Sequence, residues 1–155
     1  MQREPLDETT RQHLLALIQA NFAGRDDLSA AADALGDEAL SMICRRLADD
    51  LANNAIELQQ IALAAGIDDI DVNEFGAQLQ AELIEMIQEG EGDQAVLEEA
   101  EECEQIVEQE YDAAIAHTDT PALADVLKQQ REKVEFGKNV THELLSSEAG
   151  KKETP

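Results

Sequence analysis

The stretch from Leu40 to Ala62, LSMICRRLADDLANNAIELQQIA, decides the fold. At about 100° per residue, Leu40, Ile43, Cys44, Leu47, Leu51, Asn54, Ala55, Leu58, Ile61 and Ala62 fall on one side, which is a helical period and not the alternation of a strand. A helix with one apolar stripe must bury that stripe against other elements. Asp37 stands where an N-cap belongs, and Gly66 follows Ala65 where the pattern stops, so one long helix is predicted from Asp37 to about Ala65.

Working outward, the same stepping finds four more helical segments. Upstream, Leu14, Leu17, Ile18, Asn21, Arg25, Leu28 and Leu35 share a side. Thr9 with Gln12 reads as a capping box for that first helix, and Gly36 as its left-handed C-terminal stop. Downstream, the acidic link IDDID leads to Asp71 as cap, with Glu74 three residues later, and a third segment runs through about Glu89. It stacks Val72, Phe75, Leu79, Leu83 and Met86 over roughly 18 residues, or about 27 Å. After the GEGD turn, Asp93 is the expected cap of a fourth helix through about His117. That helix aligns Val96, Ala100, Cys103, Val107, Tyr111 and Ala114, with Glu104 at the stripe edge. Thr120 before Pro121 opens a fifth helix through about Leu145, aligning Leu123, Leu127, Gln130, Val134, Gly137, Thr141 and Leu145.

Short turns join the first pair and the last pair of long helices, giving two antiparallel hairpins, and the third segment is expected to act as a crossover between them. The predicted organisation is a flexible terminus over residues 1–8, an all-α four-helix bundle with an extra crossover helix over 9–145, and a disordered tail over 146–155. The third segment's apolar strip, Phe75, Leu79, Leu83 and Met86, is the expected face of a homodimer if the bundle leaves it uncovered.

Charge narrows the partners. The 155 residues include 11 Lys+Arg against 35 Asp+Glu, a formal net charge of −24. A phosphate backbone or an anionic membrane would be repelled, so neither nucleic acid nor membrane is an expected partner, whereas a basic protein is. The amino-terminal MQREPLDETTRQ has no apolar core of a signal peptide, and no apolar run approaches the length that spans a bilayer. The expected location is the cytoplasm, where Cys44 and Cys103, on apolar faces without CxxC or Cys/His spacing, read as buried reduced thiols; a disulfide between their helices is the alternative.

Four stretches carry a resemblance: LLALIQANFAGRDDLSAAADAL (14–35), NNAIELQQ (53–60), VLEEAEECEQIVEQEYDAAI (96–115) and LADVLKQQREKV (123–134). Over about Leu14 to Leu145 the chain resembles a bacterial ferritin-like four-helix-bundle family classed as a domain of unknown function. The resemblance implies a fold; the family has no settled activity. Ferritin-like metal proteins hold a di-iron or di-manganese pair with one Glu on each of two helices and Glu-x-x-His on each of the others, a spacing that puts both ligands on one helical face. This chain departs from that pattern. The residues three before His13, His117 and His142 are Thr10, Ala114 and Asn139.

The polar residues expected to face the interior are Asn21, Arg25, Asn54, Glu104 and Gln130. Arg25 and Glu104, helped by the three amides, are expected to form a buried paired layer where relatives hold metal. The bland reading has Arg25 snorkelling to water near a bend at Gly24. The candidate metal ligands are Glu57, Glu104, Glu135 and His142, with Glu101 nearby in sequence; Glu135 and His142 lie two turns apart, too far to share a close metal without another helix between them. No serine sits in a nucleophile elbow, and GEGD lacks the Lys-Ser/Thr of a phosphate loop.

Two functions are therefore open. One is a non-enzymatic bundle without cofactor, stress-related or self-associating, that works through its surface. The other is a divergent carboxylate-bridged iron or manganese protein handling iron or peroxide. Convergence of at least four side chains from three or more helices at mid-bundle would mark the second.

Overall fold

The computed structural model describes residues 6–67 and 92–153. Among them the chain forms four helices and no strand: α1 (Glu8–Ala34), α2 (Glu38–Ala64), α3 (Asp93–Ala116) and α4 (Pro121–Glu153). The expected third segment, with Asp71, Glu74, Val72 and the dimer face Phe75, Leu79, Leu83 and Met86, lies outside the described residues.

Local chemistry sets the helix ends, in places differently from the sequence reading. The cap of α1 is Asp7, whose side chain accepts from Thr10 N at 2.7 Å; Thr9 is already helical. A carboxylate at this position answers both the free N–H groups and the positive end of the helix dipole, and the Thr10 N–H bond holds the Asp7 carboxyl below its ordinary range. Asp37 caps α2 as expected, accepting from Ala39 N at 2.9 Å and Leu40 N at 3.2 Å. At the far end Gly66 adopts φ +88°. Its N–H bonds Leu63 O at 3.0 Å, while Ile67 N reaches back to Ala62 O at 2.9 Å, the reciprocal pair that closes a helix over a left-handed residue.

Gly36 does not take that conformation, since among the described residues Gly66 alone has positive φ. The chain leaves α1 in an extended form at Leu35, and the link is held by Asp93, which accepts from Gly36 N at 2.8 Å and Asp37 N at 3.2 Å. Asp93 is thus the first residue of α3 after the cap Gly92, and its carboxylate serves the α1–α2 turn. The last helix continues beyond Leu145 to Glu153, including most of the expected tail. Ala149, Lys151, Lys152 and Glu153 are good helix formers, and a single Gly150 costs only about 1 kcal/mol.

These contacts also set the topology. Asp93 beside Gly36 places the start of α3 next to the α1–α2 turn, and Thr10 Oγ1 donating to His117 O at 3.4 Å places the end of α3 next to the start of α1. So α3 runs antiparallel to α1 and parallel to α2. The chain leaves α2 at one end of the bundle and enters α3 at the other, separated by about 40 Å for a helix of 27 residues. In section, α1 packs on α2 and α3, and α3 on α4, while α2 and α4 meet along the thinnest seam. Leu14, Leu17, Ile18, Leu28, Leu58, Leu97 and Leu127 fill the core. Gly24 lets α1 come close to both neighbours: a Cβ there would lie 2.7 Å from Leu51 Cδ1 and 3.2 Å from Val107 Cγ2.

Candidate functional site

One polar layer crosses the whole bundle. Asn21 faces inward from α1, Tyr111 from α3, Gln130 from α4 and Asn54 from α2, and all four are buried. Asn21 Nδ2 donates to Leu17 O and to the Tyr111 hydroxyl, both at 2.9 Å. Tyr111 donates to Gln130 Oε1 at 2.7 Å. Gln130 Nε2 in turn donates to the Asn54 carbonyl at 3.3 Å and to Glu57 Oε1 at 2.8 Å. Amide, phenol, amide and carboxylate therefore follow one another from α1 through α3 and α4 to α2, while Asn21 Oδ1 and Asn54 Nδ2 are left without a protein partner. Burial pushes the Tyr111 phenol up, so it stays a donor at any ordinary pH. A connected set of this kind specifies which helices pair and in what register.

Glu104 occupies a second position, two turns from Tyr111 toward the start of α3, and is 2% exposed. Burial, with Glu101 adding repulsion, pushes its carboxyl up to about 8 against the pull of Lys138. Lys138 is engaged elsewhere, 2.8 Å from Glu108.

The Arg25–Glu104 pair expected from the sequence does not form. Arg25 is 38% exposed in its side chain, pairs with Asp26 at 2.8 Å and lies 4.8 Å over the Phe22 ring. Gly24 takes the inward place beside it, which turns Arg25 toward water, and a guanidinium that can reach water has no reason to lose its hydration.

The four candidate ligands are likewise apart. Glu57 is exposed and receives Gln130; Glu135 pairs with Arg131 at 3.2 Å; His142 sits on the surface 2.8 Å from Glu101; Glu104 is buried. Among the described residues no three His, Cys, Asp or Glu side chains gather into a metal-holding group. The described residues do not fit a carboxylate-bridged pair of metals, because such a pair needs several oxygens from facing helices at one point. No protein-family model matches the chain, and no curated protein is significantly similar to it in sequence.

Both cysteines are free and buried. Burial raises Cys44 to about 12 and raises Cys103 as well, with Glu104 adding to both, so neither is a ready thiolate. Sequence reading missed Tyr111 as the link of the polar layer by counting it among apolar residues. The available signal was that the only tyrosine of the chain falls at the centre of a buried stripe, where a phenol O–H needs a partner.

Proposed function

We propose that this protein is a non-enzymatic, ferritin-like helical bundle that acts in the cytoplasm through its acidic surface, on a basic protein partner or on a second copy of itself. The observation that carries the reading is the chain from Asn21 through Tyr111 and Gln130 to Glu57. It links the side chains of this layer to one another, so that they do not converge as a set of metal-ligating oxygens. Parallel α2 and α3 joined across the length of the bundle support the ferritin-like assignment, and the net charge of −24 supports a cationic partner.

The competing reading is a divergent iron or manganese protein, of whose four candidate ligands Glu104 alone is buried. Loading the protein anaerobically with Fe(II), desalting it and measuring metal by mass spectrometry decides between them. We expect no stoichiometric iron in wild type or Glu104→Ala. About two irons per chain in wild type, lost in the variant, would overturn the proposal.

A further inference from the structure

The thin seam between α2 and α4 contains a cavity of about 10 Å³ lined by Leu47, Leu51, Asn54, Glu104, Val134 and Gly137, with Asp50 and Lys133 at its mouth. That is the room one water needs, provided polar partners are present. Two are: Asn54 Nδ2 and Glu104 Oε2 are shielded from solvent and have no hydrogen-bond partner within the protein. Gly137 keeps the space open, since a Cβ there would lie 3.0 Å from Leu47 Cδ2 and 3.6 Å from Glu104 Oε1.

The other carboxyl oxygen defines the proton. Thr141 is within hydrogen-bonding reach of Glu104, and its hydroxyl donates to Gly137 O at 3.0 Å. A hydroxyl has one proton to give; while that proton stays on Gly137 O, Thr141 can only accept from a neutral Glu104 carboxyl. With Oε2 unpartnered, the O–H belongs on Oε1. The neutral acid then leaves Oε2 as a carbonyl-type acceptor facing the cavity.

We propose that the α2–α4 seam is a binding site for a single internal water held by a neutral Glu104: Asn54 Nδ2–H donates to the water, the water donates to Glu104 Oε2, and Glu104 Oε1–H donates to Thr141. The arrangement satisfies every polar atom that this part of the core leaves without a partner, and it explains how a carboxyl is kept inside without a cation. The ionisable groups around it are Asp27 on α1, Cys44 and Asp50 on α2, Glu101 and Cys103 on α3, and Lys133 and Lys138 on α4. The thiols are uncharged; the carboxyls of Asp27, Asp50 and Glu101 outnumber the two ammonium groups, of which Lys138 is already paired with Glu108, and this favours the protonated acid.

Water–protein NOE spectroscopy on the full chain at pH 6, with a ¹³C titration of the glutamate carboxyls assigned by Glu104→Gln, tests both halves. The expected result is a cross-peak of the sign given by a long-lived water at the Asn54 side-chain amide, and a Glu104 midpoint near 8 rather than 4.5. A dry Asn54 amide would overturn the water, and an ordinary midpoint would overturn the neutral acid. If the Gln variant does not fold, the wild-type NOE and the presence or absence of one high-midpoint carboxyl still decide. Neither readout depends on whether the protein retains iron.

Discussion

Two polar layers lie two turns apart in the same bundle and are held in opposite ways. Around Tyr111 the interior groups are neutral amides and a phenol, with one carboxylate reached at the surface end by Gln130. Around Glu104 a carboxyl is buried with Thr141 as its neighbour and no guanidinium. The first layer is linked from helix to helix by protein atoms, through amides and a phenol that are uncharged at ordinary pH. The second depends on a proton. Burial of a polar group therefore says little until its partners are known: a linked network fixes helix register, whereas a buried acid couples the stability of the same bundle to solution conditions.

The comparison can be broken hardest at Tyr111. Replacing it by Ala removes a fully buried ring and both hydrogen bonds to its hydroxyl; a loss of about 4 kcal/mol is expected by chemical denaturation, and a loss below about 1 kcal/mol would show that the layer does not hold the bundle together. Next comes Glu104. Its native pKa of about 8 lies above the ordinary 4.5, so the folded state binds more protons than the unfolded state between those values, and the stability it contributes falls as pH rises through that window. At about 1.4 kcal/mol per pH unit, wild type should lose about 2 kcal/mol relative to Glu104→Gln between pH 6 and pH 8, with the two curves converging toward pH 4.5. Parallel curves would refute the buried acid.

Tyr111→Phe sharpens the contrast by keeping the ring. It leaves Gln130 Oε1 without its donor and Asn21 Nδ2 with one acceptor fewer. The expected cost is about 1.5 kcal/mol, unchanged across pH 6–8, where the Glu104 effect is changing. The smallest effect is expected at Arg25→Ala, about 0.5 kcal/mol or less, because its partner Asp26 and the Phe22 face are both near water. A cost of several kcal/mol there, abolished by a second change at Glu104, would restore the buried pair read from the sequence.

The sequence was informative wherever one helix sufficed to settle the question. Periodicity placed Asn21, Asn54 and Gln130 on inward stripes and Glu104 at a stripe edge, and all four are buried. It placed Arg25 on an inward stripe too, yet that side chain turns toward water, because Gly24 takes the inward site and a long side chain can reach past it. Asp93 shows the same limit. Its spacing suggested a cap for its own helix, yet its carboxylate serves Gly36 and Asp37, distant in sequence and adjacent in space.

Helix period, the Asp37 and Gly66 boundaries and the proline start of α4 were determined by the sequence alone, since each rests on hydrogen bonds and sterics within a few residues. The tertiary structure alone decided which amide meets which phenol, where Arg25 goes, and that Glu104 is enclosed beside Thr141 with no guanidinium in reach. Those outcomes depend on how helices far apart in the chain approach one another, and on a local dielectric that exists only after they have packed.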